Sequence, residues 1–213
     1  MEEHRPGDEA ELPPHRDPLR FDALIESISP ESLLVVIERS MGPALAAACS
    51  PEDIWQETLA VAWRDREQHA WTGPRDYRTW LVTLARNRVR DLARTLSREK
   101  RGGGERPLLF SGLEFGAVAG LEQLLPAGST TPSRIVGTRE RARLMQEALA
   151  ALPAELGDVV RLHLFDEQTM EAVAASLSIT LDQAWYRFRK GSALYAKRLA
   201  LLRSQSLQGK QGW

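Results

Sequence analysis

Hydrophobic residues recur along most of this chain at the spacing of amphipathic α-helices, and no segment alternates apolar and polar residues as a strand would. Several periodic segments begin at residues that cap helices. Ser29 and Ser50 are each followed by proline, which is favoured in the first helical turn. Thr180 and Gln183 have the spacing of a capping box. The pattern predicts an all-α fold.

The predicted helices fall into two groups separated by a stretch without periodicity. The first group runs from Ser29 to about Arg39, from Ser50 to about Gln68 and from Asp76 to Arg101. Gly102, Gly103 and Gly104 end the third helix, because glycine has a high entropic cost in helices. The second group comprises helices at 139–151, 153–165 and 169–177, and a long helix from Thr180.

This order predicts two small helical domains joined by a flexible linker. The expected boundaries are an acidic, disordered tail at 1–18, a helical domain at 19–101, a linker at 102–137, a helix-turn-helix domain at 138–204 and a frayed tail at 205–213.

Charge is distributed unevenly although the chain as a whole carries a formal charge of −1. Residues 1–31 have a net charge of −6, residues 75–101 of +6 and residues 160–213 of +4. Two basic segments predict two separate nucleic-acid contacts. The acidic segment is either a solvating tail or a competitor with DNA for the basic faces.

The helix predicted at 76–101 has an apolar stripe on one face and cations on the other. The cationic face contains Trp80, Arg86, Asn87, Arg90, Arg94 and Arg98. Cations one turn apart can follow a phosphate backbone, and a nearby aromatic ring can stack on an unpaired base. The alternative is a solvated arginine face with a partly buried tryptophan.

The long helix from Thr180 follows a short helix and a tight turn at Ser178 and Ile179, which is the order of a helix-turn-helix motif. Its outward positions are Gln183, Tyr186, Arg187 and Lys190. Glutamine can pair with adenine, and arginine or lysine with guanine or phosphate. Its buried positions are predicted to be Leu181, Ala184, Trp185, Phe188, Tyr195 and Leu199. The alternative is a helical hairpin with a polar face.

Two segments of the chain resemble regions of a known family. The segment 148–198 contains the runs ALAALP, FDE and TMEAVA and then Arg187, and it resembles region 4 of the extracytoplasmic-function sigma factors. The segment 51–94 contains DIWQET, YRTWL and ARN, and it resembles region 2 of the same family. The two matches cover roughly half of the chain, in the family's order.

The resemblance implies an RNA polymerase sigma factor that recognises the −10 and −35 promoter elements and melts DNA. Its expected partners are core RNA polymerase, through the β′ and β subunits, and promoter DNA. The resemblance makes an anti-sigma factor a candidate partner, but the sequence does not establish that one exists. Asp53, Gln56 and Glu57 would bind the polymerase. Trp71, Tyr77 and Trp80 would stack on bases, Asn87 would bond a base edge, and Arg86, Arg90, Arg94 and Arg98 would hold phosphates. Gln183, Tyr186, Arg187 and Lys190 would enter the −35 major groove.

The chain departs from the family at the predicted −35 contact. Ser178 stands where the family commonly has glycine, and Asp182, Gln183 and Ala184 stand where it commonly has Gly-Thr-Val. The carboxylate of Asp182 repels phosphate unless it faces aside. The −35 specificity therefore does not transfer from the family.

Other functional classes find little support in the sequence. The histidines, at positions 4, 15, 69 and 163, lack metal-ligand spacing, and no glycine-rich phosphate loop opens a helix. We therefore expect no enzymatic activity, no cofactor and no metal. Cys49, the only cysteine, is predicted to be a small core residue. The chain has no apolar run of membrane-spanning length and no secretory leader, so we expect a cytoplasmic protein.

Two alternatives to a sigma factor remain open from the sequence. One is a helix-turn-helix regulator that binds duplex DNA without acting as a sigma subunit. The other is an antagonist that mimics a sigma factor to sequester a partner.

Overall fold

The computed structural model describes residues 12–99 and 132–210, and every regular element in these ranges is helical, which confirms the all-α prediction. Residues 1–11, 100–131 and 211–213 lie outside the described residues, and they include part of the predicted tail at 1–18 and most of the predicted linker at 102–137. The rest of the predicted tail is packed, since His15 is fully buried and Asp17 caps the first helix. The helices are α1 (Pro18–Ser27), α2 (Pro30–Ser40), α3 (Pro43–Ala46), α4 (Pro51–Arg64), α5 (Pro74–Glu99), α6 (Pro132–Ala150), α7 (Ala154–Val160), α8 (Met170–Ser176) and α9 (Leu181–Lys210). A π-helical turn, Arg161–Phe165, continues α7.

Local capping sets where α4 begins, as the sequence predicts. The Ser50 side chain accepts the backbone N–H of Asp53, and the Asp53 carboxylate accepts the backbone N–H of Ser50, which completes a capping box. The predicted end of this helix at Gln68 is wrong, since α4 stops at Arg64 and a turn follows. Ser29 was predicted to cap α2, but it adopts a left-handed conformation (φ 57°) and its side chain makes no capping bond.

The C-terminal helices are longer than the sequence predicts. Helix α6 begins at Pro132, so the predicted linker boundary at 137 falls inside a helix and Gly137 does not interrupt it. Helix α9 continues to Lys210 instead of fraying after Ser204. Leu202 is buried near its end, and the Ser206 hydroxyl lies 3.4 Å from a carboxylate oxygen of Glu140 on α6. Packing against α6 therefore stabilises the last turns of α9.

The N-terminal helices (α1–α5) and the C-terminal helices (α6–α9) contribute to one hydrophobic cluster. Helix α2 supplies Leu33, Leu34, Val35, Val36 and Ile37, and α6 packs against it through Leu144, Ala148 and their neighbours. A smaller cluster lies beneath α8 and the start of α9 and contains Val159, Leu162, Met170, Val173, Ala174 and Ala184. Cys49 is half-buried against the larger cluster. The division into two separate domains stays a prediction.

The described ranges contain no helix long and apolar enough to span a bilayer.

Close packing between α7 and α9 depends on a glycine. A Cβ added at Gly191 would lie 2.7 Å from Val160 Cγ2 and 3.1 Å from the Leu156 carbonyl oxygen. We expect Gly191→Ala to lower the free energy of unfolding by about 1–2 kcal/mol, because the overpacking exceeds the gain in helix propensity. Urea denaturation measures the difference.

Gly157 provides the matched control for this substitution. A Cβ at Gly157 meets its nearest atom, Leu152 Cβ, at 3.6 Å, which is an ordinary contact. Gly157→Ala should therefore be neutral or stabilising by up to about 1 kcal/mol. Equal effects of the two substitutions would show that the approach of α7 to α9 does not require Gly191.

Candidate nucleic-acid interface

The face of α5 opposite the core presents a row of exposed polar and cationic side chains. Leu81, Val82, Ala85, Val89 and Leu92 are buried and fix the rotation of the helix. Asn87, Arg90, Arg94 and Arg98 are consequently exposed. Arg94 lies 3.8 Å from Asp91, but both side chains are largely exposed, so this pair holds the guanidinium only weakly. Three guanidinium groups and one amide are thus available to a ligand.

Arg86, the fourth predicted arginine of this row, is already engaged. Its Nη2 donates to Asp166 Oδ1 at 2.6 Å, and Asp166 follows the π-helical turn of the C-terminal helices. The other carboxylate oxygen of Asp166 accepts from Arg161 Nη1 at 2.7 Å. The charge of Arg86 is therefore already neutralised within the protein, and its Nη2 donor is occupied.

The aromatic residues predicted to stack on bases lie in different environments. Tyr77 is fully buried, and burial raises the pKa of its hydroxyl well above the usual range. It therefore offers no stacking surface in this arrangement. Trp71 and Trp80 are partly buried at the edge of the same cluster, where each ring stacks on a histidine.

Sequence reasoning missed this pairing of histidines with aromatic rings. His15 stacks on Trp71 with ring centroids 5.2 Å apart and 11° between the planes. His69 stacks on Trp80 at 4.4 Å and 19°. The two imidazoles meet edge to face at 5.4 Å, and both contact the Tyr77 ring. His15 and His69 lie 54 residues apart in the chain, so no local spacing could have indicated the contact.

Burial controls the chemistry of this histidine–aromatic cluster (His15, His69, Trp71, Tyr77 and Trp80). Desolvation is the main cause that lowers the pKa of both imidazoles, and the positive charge of Arg16 adds to it. A contact of 3.2 Å joins His15 Nε2 to the His69 carbonyl oxygen, while His15 Nδ1 and His69 Nε2 have no hydrogen-bond partner. The cluster is therefore stable with neutral imidazoles.

Arg16 holds the loop between α4 and α5 from the N-terminal side. Its Nη2 donates to the carbonyl oxygens of Glu67 at 2.9 Å and of His69 at 3.2 Å, and its Nε donates to that of Arg66 at 3.2 Å. The loop that precedes the arginine row is thus fixed by backbone contacts.

The residues predicted to bind polymerase differ in their availability. Asp53 is half-buried and occupied by the capping box, and Gln56 is half-buried. Glu57 is buried, with only 4% of its surface exposed, and pairs with Arg88 on α5. Its carboxylate therefore joins two helices of the protein itself.

The start of α9 forms a second polar surface. Tyr186 and Lys190 are exposed, whereas Arg187 is half-buried and lies 3.7 Å from Glu155. Gln183 is exposed, but its Oε1 accepts the Thr180 backbone N–H at 3.0 Å in the predicted capping box. Ser178, in the turn before α9, adopts the left-handed conformation (φ 53°) that usually favours glycine.

The predicted buried side of α9 is only partly correct. Ala184, Tyr195 and Leu199 are buried and Phe188 is half-buried, but Leu181 and Trp185 are each 41% exposed. The small cluster beneath this end of α9 is filled by Ala184 and Phe188, so the flanking positions remain at the surface. The N-terminal turns of α9 therefore expose aromatic as well as polar groups.

Within residues 12–99 and 132–210, no group of three or more histidine, cysteine or acidic side chains is placed to hold a metal ion.

In comparisons with protein-family models, with curated proteins and with solved structures, nothing matches this chain.

Proposed function

We propose that this protein is an RNA polymerase sigma factor of the extracytoplasmic-function type. It binds core polymerase, recognises the −10 and −35 promoter elements and helps to melt DNA. The observation that carries the proposal is the exposed row of Asn87, Arg90, Arg94 and Arg98 on a helix whose opposite face is fixed in the core. The resemblance of segments 51–94 and 148–198 to regions 2 and 4 of the family adds to it.

In this proposal α5 holds the strand that is freed when the −10 element opens. Arg90, Arg94 and Arg98 contact successive phosphates, and Asn87 bonds a base edge. Unstacking a base costs a few kcal/mol, so melting needs a surface that receives the freed base. The partly buried rings of Trp71 and Trp80 provide that surface once their histidine partners move aside.

The second contact is the start of α9 in the major groove of the −35 element. Tyr186 and Lys190 are the exposed members of the predicted set, and the Gln183 amide can still donate although its oxygen is used in the capping box. Arg187 must leave Glu155 to reach a phosphate or a guanine. Asp53 and Gln56 are the partly exposed candidates for the contact with the polymerase β′ subunit.

Promoter-dependent transcription tests this proposal directly. Core polymerase, this protein and a library of genomic fragments are combined, and the transcripts are sequenced. Specific transcripts that require the added protein are expected. The sequences upstream of their start sites then reveal the −10 and −35 elements. Binding to core polymerase without any such transcript would contradict the proposal and favour a sigma-mimicking antagonist.

The arginine row should be necessary for holding the open strand. We expect Arg90→Ala together with Arg94→Ala to weaken binding to single-stranded DNA on the order of 100-fold, because two charge-assisted hydrogen bonds are lost. The slope of log affinity against log salt should fall by about 1.4, since each phosphate contact to a single strand contributes about 0.7. Fluorescence anisotropy at several salt concentrations measures both quantities.

A control that removes the same charge elsewhere makes this result specific. Arg39 on α2 and Arg143 on α6 are exposed outside the row, so Arg39→Ala with Arg143→Ala should change DNA affinity little. Equal losses in the two double variants would mean that only overall charge matters. Core-polymerase binding should be unchanged in both.

A helix-turn-helix regulator is the second candidate, and the position of Glu57 favours it. A buried carboxylate paired with Arg88 is not available to a polymerase surface. Such a regulator would bind a specific duplex through α9 in the absence of polymerase. Selection of duplex sites from random DNA, with and without core polymerase, distinguishes the two candidates.

A further inference from the structure

Ion pairs join the N-terminal helices to the C-terminal helices, and each set of helices contributes carboxylates to some pairs and arginines to others. Acidic residues of the N-terminal helices face arginines of α6: Arg139 Nε lies 3.2 Å from Glu52, and Arg141 Nε lies 3.7 Å from Glu31. On the other side of the contact the signs are exchanged, and arginines of α5 face acidic residues of the C-terminal helices. Each set of helices therefore presents both charges to the other.

The acidic residues that face the arginines of α5 are Asp166 and Glu167. They are neighbours in a corner of the chain between the π-helical turn and α8. Asp166 bridges Arg86 and Arg161 with its two oxygens, at 2.6 and 2.7 Å. Glu167 pairs with Arg78, and the two side chains are only 14% and 11% exposed. These are desolvated pairs, for which the loss of one partner is costly.

Arg78 is held in place by groups other than Glu167. Its Nη2 donates to Ser32 Oγ at 2.8 Å, and its Nε donates to the Ile28 carbonyl oxygen at 3.2 Å. The guanidinium is thus a fixed element of the N-terminal helices. The C-terminal helices dock against it through one carboxylate.

The corner is also strained where it makes this contact. Glu167 has φ 57°, in the left-handed region that residues other than glycine rarely adopt. Such a conformation persists only where its surroundings stabilise it. Backbone hydrogen bonds from Asp166 N–H to the Arg161 carbonyl oxygen and from Gln168 N–H to the Leu162 carbonyl oxygen, both at 3.0 Å, hold the corner from within the C-terminal helices. The ion pair with Arg78 adds a contact from the N-terminal helices, so docking and the conformation of the corner support each other.

We propose that Asp166 and Glu167 act as an acidic latch that docks the C-terminal helices on α5 and competes with nucleic-acid phosphate for Arg86. Asp166 occupies the Nη2 donor of Arg86 and neutralises its charge, and a phosphate that takes the same donor must displace the carboxylate. DNA that uses Arg86 must therefore open the latch, and the closed latch weakens that DNA contact by an equal free energy. The competition rests on the proposed function, whereas the docking contact does not.

Two measurements on the full chain test the latch. The variant is Asp166→Asn with Glu167→Gln, and its matched control is Glu147→Gln with Glu171→Gln, which removes two negative charges from the C-terminal helices outside the corner. The first measurement is amide hydrogen exchange by mass spectrometry in residues 74–90 and 161–170. The second is anisotropy of a fluorescein-labelled single-stranded DNA oligonucleotide.

We expect faster exchange in both segments of the latch variant, with DNA affinity increased on the order of tenfold. Neither change should appear in the control. Asp166→Asn alone gives a milder variant if the double one does not fold, and circular dichroism verifies folding.

The remaining outcomes separate the two proposals. Unchanged exchange in the latch variant would overturn the latch, whatever happens to DNA affinity. Faster exchange with equal DNA binding in all variants would overturn the competition and leave the proposed function intact. Faster exchange with no DNA binding in any variant, wild type included, would keep the docking contact and remove both the competition and the proposed function.

Discussion

Replacement of Glu57 by alanine should lower the free energy of unfolding by about 3–5 kcal/mol. The Glu57 carboxylate is buried between α4 and α5 and pairs with Arg88, whose side chain is 20% exposed. Removing the carboxylate leaves a largely buried guanidinium without its counter-charge, and the penalty is the desolvation of that charge. Urea denaturation followed by circular dichroism measures the change.

An exposed pair supplies the control for Glu57. Arg64 and Asp65 are neighbours at the end of α4 and lie 2.7 Å apart, with side chains 53% and 29% exposed. Asp65→Asn should cost no more than about 1 kcal/mol, because solvent already screens this pair. If Glu57→Ala instead unfolds like the wild-type protein but loses binding to core polymerase, then Glu57 is a surface contact, as the family resemblance implies.

The sequence predicted the helices where local chemistry determines them. The caps at Ser50 and Thr180 lie where the spacing indicates, because each depends on residues within one turn. The end of α9 was predicted too early, at about Ser204, because it depends on contacts with residues distant in sequence. Packing of Leu202 and the bond from Ser206 to α6 depend on a helix more than 60 residues away in sequence.

The same distinction applies to the candidate site. The exposure of Arg90, Arg94 and Arg98 follows from the period of α5 and was predictable. The engagement of Arg86 by Asp166 depends on a contact 80 residues apart, so the period could not reveal it. The burial of Tyr77 could not be predicted from the period either, because it results from the histidines that pack around the ring.

Those histidines predict that the protein loses stability as the pH falls below neutral. Burial lowers the pKa of His15 and His69 below the ordinary value of 6.5, so the unfolded chain binds protons more readily than the folded chain. Stability therefore rises with pH in the window between the lowered pKa values and about 6.5, and it is fully present above that window. Protonation places a charge beside Trp71, Tyr77 and Trp80, and Arg16 repels it.

Opposing causes offset this effect only in part. The contact with the His69 carbonyl and, more weakly, the Glu67 carboxylate raise the pKa of His15, and Asp76 raises that of His69, by less than burial lowers them. Urea midpoints from pH 7.5 to 5.5 should fall with pH in the wild-type protein. They should fall less steeply in His15→Gln with His69→Gln, which is less stable at pH 7.5 but has no imidazole to charge in the cluster. His163→Gln makes the same replacement outside the cluster, where the ring contacts Phe188 in the C-terminal helices, and serves as the matched control. An unchanged slope in the His15 and His69 variant would mean that the imidazoles are already solvated in the folded protein.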